Sequence, residues 1–232
     1  MCYKKEFQDT IKLALNTYDP ESKNIITFGI TPSYAETGYG YIKYCDDTIQ
    51  EFIEKPNLIT AQKLIENPMY LWNSGIFIFN IVSILEEFKK YEIDMYNLCM
   101  DCYSKSIKRD NVIKIDNSFS LCKNISFDYA IMEKTTNGKI VKYNGVWTDI
   151  GDWDRLINFM DTNNIDNNNN NNSNFICYES NNCYVKSDKG IITIVNVDDI
   201  VVIKDGDNIL ISKKGKSSNI KYVMDNIVIK KD

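Results

Sequence analysis

Residues 163–174 read NNIDNNNNNNSN, and no other stretch limits the fold as much. A run this polar has almost nothing to bury and cannot offset the entropy lost on ordering it in a core. It reads as a linker or surface loop, so the chain divides there. Residues 1–162 and 175–232 must each build a core of their own, and their patterns differ.

Before the run, strand-like and helix-like segments alternate. The spread of Phe7, Ile11, Leu13 and Leu15 predicts an amphipathic helix over 4–16, stopped by Asp19-Pro20. Strands are predicted at 24–30, 38–44, 48–56 and 139–145, the middle two joined through Cys45-Asp46-Asp47. Another buried strand, Ile76-Phe77-Ile78-Phe79, is entered through Trp72-Asn73-Ser74-Gly75. Helices are predicted at 60–66 with Thr60 as N-cap, at 81–90, 92–106 and 126–134, and from about Asp152 onward. The alternation implies an α/β layered domain. After the run, CYVKS, GIITIV, DIVVIK and NILISKK are short β stretches between Asp, Asn and Gly turns, and an amphipathic helix closes the chain at 217–228. Residues 175–232 therefore read as a small β domain.

Composition removes several classes of function. A net charge of −5 with dispersed Lys and Arg offers no basic stripe, so nucleic acid is not an expected partner. No apolar run approaches a membrane span, and the residues after Met1 lead into no signal-peptide core, so a cytoplasmic protein is expected. Seven cysteines at irregular spacing fit reduced thiols rather than a disulfide frame. Cys99 and Cys102 form a CxxC without a second pair nearby and read as helix residues. The chain has no histidine, which removes the commonest zinc ligand and excludes Ser-His and Cys-His nucleophiles. Chemistry is left to carboxylates, lysine, backbone amides or a hard metal.

Four short stretches could carry such chemistry. In ETGYGYI, residues 36–42, Gly38 and Gly40 flank Tyr39; they let the backbone approach a ligand, or make an ordinary bulge. In EFIEKP, residues 51–56, Glu54 and Lys55 end a strand, and alternation sends their side chains to opposite faces. A lysine suits phosphate and a carboxylate suits sugar hydroxyls, although a solvated pair is the commoner case. Trp72-Asn73-Ser74-Gly75 is either a capped turn or a polar lining. In WTDIGDW, residues 147–153, Asp149 sits where a carboxylate can ligate magnesium and Asp152 where one can cap a helix; a plain turn is the alternative for Asp149.

In order along the chain, ITFGITPSYAETGYGYIKY, FIEKPNLITAQKLIENPMYLWNSGIFIFN, ISFDYAIMEK and VWTDIGDWDRL resemble the bacterial-type mannose-1-phosphate guanylyltransferase (GDP-mannose pyrophosphorylase) family. NCYVKSDKGIITIVNVDDIVVIKDGDNILI resembles that family's small C-terminal β domain, and the likeness spans nearly all of the chain. The cupin isomerase domain of longer relatives has no counterpart in these residues. The resemblance implies a Rossmann-like nucleotide-diphospho-sugar transferase fold and transfer of GMP from GTP to mannose-1-phosphate, with magnesium as cofactor. It places Tyr39, Gly40, Glu54, Lys55, Asn73 and Gly75 at the sugar phosphate, with Glu54 on mannose hydroxyls and Lys55 on the phosphate. Lys55 and Asp149 take the catalytic roles, Asp149 holds the metal, and Asp128 and Glu133 support the pocket.

The family's domain opens with a strand and a Gly-rich loop that cradles the triphosphate. Nothing in these residues matches that loop or the family's second metal aspartate. The nucleotidyltransferase domain is thus expected to be N-terminally incomplete and the chain weak or inactive alone. The remaining expectations are a homodimer, or pairing with a chain that supplies the missing half. A non-catalytic regulatory or assembly subunit, or a different sugar-1-phosphate nucleotidyltransferase, are the alternatives.

Overall fold

A computed structural model describes residues 2–19, 21, 23–162, 175–220, 222 and 223. They form two compact units, divided between Trp147 and Thr148. The Asn run and half of the helix expected at 217–228 lie outside the described residues; Ser217–Asn219 is a 3-10 turn.

The first unit opens with helix α1 (Cys2–Thr17) and strands β1 (Ile25–Ile30), β2 (Tyr41–Cys45) and β3 (Thr48–Ile53). Helix α2 (Leu58–Ile65), strand β4 (Tyr70–Ile78) and helices α3 (Ile81–Tyr91) and α4 (Ile93–Ser104) follow. Then come a small hairpin, β5 (Ile107–Arg109) and β6 (Val112–Lys114), a 3-10 turn (Asn117–Leu121), a π-helical turn (Asp128–Met132) and strand β7 (Gly138–Tyr143). The main sheet runs β1-β4-β2-β3-β7, with β1 and β7 parallel and the other pairs antiparallel. It closes on itself through the pairing of Thr48 with Lys139.

Side-chain alternation along these strands feeds two cores. Ile26, Phe28, Ile30, Trp72, Val141 and Tyr143 face one side, packed with Phe7, Ile11 and Ala14 of α1 and Ala61 and Leu64 of α2. Ile25, Leu71, Phe52 and Ile140 face the other, against Ile84 of α3 and Ala130, Ile131 and Met132 of the π turn. Both sheet faces are covered, as the alternating pattern predicted.

Two local expectations are corrected. The cap of α2 is Asn57, whose side chain accepts the Thr60 N–H at 2.9 Å, so the helix starts before Thr60. The strand expected at 76–79 begins at Tyr70, because Trp72-Asn73-Ser74-Gly75 is part of β4 and not its entry. Gly29 opposes Asn73 while Thr27 opposes Phe77, so β4 carries two extra residues there, and Gly75 at φ +72 takes up the bulge. On β4, β2 pairs only with Tyr70–Trp72, and β1 lies on the opposite edge. Among the described residues no strand pairs with the second edge of 74–78.

The second unit contains helix α5 (Trp153–Thr162) and strands β8 (Phe175–Tyr178), β9 (Tyr184–Ser187), β10 (Ile192–Val195), β11 (Ile200–Asp205) and β12 (Asn208–Lys213). The strands form a coil. Phe175 pairs with Ile192 and Tyr184 with Val201, in parallel and in each case 17 residues apart. Side-chain bonds follow the same step, including Asn182 to Asp199 and Asn196 to Glu179. Helix α5 buries Ile157 against Tyr184 and Val201, so it belongs with the coil and not with the sheet of the first unit. Among the described residues no helix is long and apolar enough to cross a membrane.

Candidate functional site

The candidate site lies on the Leu71 side of the sheet, where β3, β4 and the π turn meet. Asn73 shares that face with Leu71 by strand alternation. Its Nδ2 donates to Asp128 Oδ1 at 2.9 Å, while its Oδ1 accepts from Thr27 Oγ1 and from the Gly75 N–H, both at 3.1 Å. The amide oxygen thus has both lone pairs in use, and one N–H remains for a ligand. Gly75 acts by fixing Asn73; it is itself exposed, with open space where a Cβ would be.

Glu54 sits beside Asn73, its side chain only 4% exposed. Its Oε1 pairs with Lys55 Nζ at 2.7 Å, while its Oε2 is buried and has no hydrogen-bond partner. A buried carboxylate oxygen left unpaired is costly, and it is the feature expected where a ligand hydroxyl belongs. The two side chains do not point to opposite faces. The strand ends at Ile53, and Lys55 turns into the left-handed region at φ +46, which brings Nζ back onto the carboxylate. The bond to Glu54 raises the Lys55 pKa; burial opposes this, and the fields of Glu54, Asp128 and Tyr129 add to the rise. Lys55 is therefore a cation at neutral pH, 55% exposed at the mouth of the site.

Asp128 is pushed above its usual range, first by burial and then by the field of Glu54, against the pull of the Asn73 bond and of Lys55. Glu133 Oε1 accepts the backbone N–H of Glu54 at 3.2 Å. Gly40 closes the back: a Cβ there would lie 2.6 Å from Glu54 Oε2, and the Asn73 N–H donates to the Gly40 carbonyl at 2.8 Å. Tyr39 is a wall and not a lid. It is 6% exposed, edge-on to Trp72 at 5.3 Å and to Trp147 at 5.1 Å.

The structure thus brings Gly40, Glu54, Lys55, Asn73 and Gly75 into one site, with Tyr39 in the packing behind it. Asp149 belongs to the second unit. Its carboxylate is exposed and accepts from Arg155 Nη1 at 3.2 Å, and Asp152 caps α5 by accepting the Arg155 N–H at 2.8 Å. Among the described residues no group of three or more Cys, Asp or Glu side chains could cage a metal. Magnesium asks less of a protein, one or two carboxylates with waters and phosphate oxygens completing its shell, and an exposed Asp149 fits that donor chemistry. Thr27 was not anticipated. Its signal was a lone hydroxyl in the fully buried IITFGI strand, which must find a partner.

Comparison with known proteins identifies the family. Residues 1–164 match the nucleotidyl transferase family, and residues 173–227 match the MannoseP isomerase/GMP-like beta-helix domain. A mannose-1-phosphate guanylyltransferase of Escherichia coli is 32% identical over 96% of this chain and 50% of its own length. The alginate biosynthesis protein AlgA of Pseudomonas aeruginosa is 32% identical over 95% of this chain and 47% of its own. The chain spans about half the length of these relatives. A crystal structure from Thermus thermophilus, described as a mannose-1-phosphate geranyltransferase, superposes with a TM-score of 0.73 at 21% identity, covering 95% of this chain and 64% of that one. At that identity the likeness speaks to the fold.

Proposed function

The chain belongs to the nucleotidyl transferase family, and on that premise we propose that it supplies the sugar-phosphate half of a site that joins mannose-1-phosphate to GTP. The observation that carries the reading is the buried, unpartnered Glu54 Oε2 beside a charged Lys55 and a fixed Asn73 N–H. A hydroxyl on the sugar ring donates to Glu54, another accepts from Asn73, and Lys55 pairs with the phosphate. A phosphate oxygen then attacks the α-phosphorus of GTP; the new O–P bond gives GDP-mannose, and the broken one releases pyrophosphate. Such a displacement is accelerated by positioning and charge neutralisation more than by covalent chemistry. Asp149 would hold magnesium, whose charge offsets that of the phosphates when it is bound.

The triphosphate would be cradled by a partner chain that pairs with this one. A cytoplasmic setting completes the reading, supported by the irregularly spaced cysteines.

Calorimetric titration with mannose-1-phosphate, with and without magnesium, tests the proposal, with glucose-1-phosphate as control and Lys55→Ala alongside. Selective binding of the mannose compound that is lost in the variant is expected. No binding by a folded sample would overturn the reading, and preference for the glucose compound would move it to another sugar nucleotide.

A further inference from the structure

The corner at Glu54-Lys55 is a conformation the chain would not keep unaided. Lys55 precedes Pro56, and a residue before proline is pushed towards extended backbone. Instead Lys55 sits at φ +46, a region that non-glycine residues avoid. Such strain persists only where the surroundings impose it. Within this corner the carboxylate of Glu54 is bonded to Lys55 itself, which cannot anchor the pair to the rest of the fold. The outside anchor is the bond from the Glu54 N–H to Glu133 Oε1, at 3.2 Å and across 79 residues of sequence.

Glu133 can reach that amide because of the π turn before it. The Glu133 N–H bonds to the Asp128 carbonyl at 3.0 Å, a span of five residues. In an α-helix residues five apart stand about 140° apart around the axis, and their side chains diverge. The wider turn stacks them, so Asp128 takes the Asn73 amide on β4 while Glu133 takes the Glu54 amide after β3. The turn is also a firm base. Ala130, Ile131 and Met132 are almost fully buried, and the residue after Glu133, Lys134, is held to Glu92 at 2.6 Å.

We propose that Glu133 is a positioning residue: through the Glu54 amide it holds Lys55 in its strained conformation over the site. Resting on the sugar-phosphate reading above, the proposal adds that the π turn is a clamp joining both sides of the pocket. Without it the Lys55 backbone relaxes to the extended form, and Nζ leaves the position where it meets phosphate.

Glu133→Gln retains an oxygen that can accept the Glu54 N–H, whereas Glu133→Ala does not. Amide hydrogen exchange at Glu54, the melting temperature and mannose-1-phosphate titration are measured for both variants and the parent. In the alanine variant the Glu54 amide is expected to lose its protection, and affinity to fall roughly 10- to 100-fold, with the melting temperature unchanged. The glutamine variant should restore both. Unaltered Glu54 exchange in the alanine variant would overturn the proposal, as would equal loss in both variants. If the parent itself binds no mannose-1-phosphate, the functional reading fails, and the exchange measurement alone decides the role of Glu133.

Discussion

Gly40→Ala adds one methyl group in the most crowded part of the site. The new Cβ would lie 2.6 Å from Glu54 Oε2 and 3.3 Å from both Asn73 Cβ and Phe52 Cε1. To reach ordinary contact the carboxylate must retreat by about 0.8 Å, since packed atoms repel steeply inside van der Waals distance. That retreat strains the 2.7 Å bond to Lys55 and moves the unpartnered oxygen from its place. Overpacking of this kind costs about 1–3 kcal/mol. For a chain of this size the melting temperature should fall by roughly 2–10 °C. Loss of a hydrogen bond to a charged group is worth about 1.5–3 kcal/mol, so mannose-1-phosphate affinity should fall roughly 10- to 150-fold. Thermal denaturation and titration calorimetry measure the two effects separately. Gly75→Ala is the contrast: it meets nothing within 4 Å but sits at φ +72, so its cost of about 1 kcal/mol is backbone strain. An unchanged melting temperature for Gly40→Ala, together with affinity within about twofold of the parent, would refute the crowding argument.

Three further outcomes follow from the same geometry. Asp128 has a raised pKa, so its contribution to stability is complete below the unfolded value of 3.8 and is lost as pH climbs through the folded value. Asp128→Asn keeps an acceptor for Asn73 and cannot ionise, so its melting temperature should gain on the parent as pH rises above 3.8; a constant gap would sink this account. Asp154 behaves oppositely. Burial pushes its pKa up, but donation from Ser217 Oγ and from the Gly215 and Ser217 N–H groups outweighs that and leaves it lowered. Its stabilisation is present above 3.8 and lost as pH falls, and Asp154→Ala should destabilise the second unit by about 2 kcal/mol at neutral pH in urea titration. Cys99 and Cys122 have their sulfurs 3.7 Å apart, and burial raises the Cys99 thiol pKa. Treatment with diamide should link this pair, slowly at neutral pH because thiolate is scarce, and a non-reducing peptide map without the linked peptide would disprove it.

Elements whose pattern is local were readable from the sequence, whereas those fixed by distant partners were not. IITFGI and KIVKY announce buried strands through their own composition, and Asp152 announces a cap through its place before a helix. Ser74-Gly75 looks like a turn because a left-handed glycine has the same signature in a turn as in a bulge; only pairing with Thr27 and Gly29 across the sheet distinguishes them. The opposite-face expectation for Glu54 and Lys55 assumed that the strand continued, and one left-handed residue cancelled it. The hairpin of β5 and β6 is exposed along its whole length, so no apolar alternation marked it. In the second unit the 17-residue step was present in the sequence as turns at Glu179 and Asn196 and at Asn182 and Asp199, all with positive φ. It repeats only once in the paired strands, too few times for a period to stand out from ordinary turn chemistry.

The distribution of charge also orients the ligand. Three carboxylates, Glu54, Asp128 and Glu133, surround the site against Lys55, and a phosphate would be repelled from most of it. The acidic side chain at the floor, Glu54, is 4% exposed, whereas Lys55 at the mouth is 55% exposed. A phosphate at the mouth keeps its attraction to Lys55 and stays in water, away from the buried carboxylates. A neutral polyol at the floor meets Glu54 Oε2, a buried acceptor without a hydrogen-bond partner. On the proposed reading a sugar phosphate would enter ring first, with its phosphate oxygens directed outward. The reverse pose would bury a dianion beside Glu54 and Asp128 and leave Glu54 Oε2 unused, so under the proposed function the same gradient would both select the ligand and present its nucleophile.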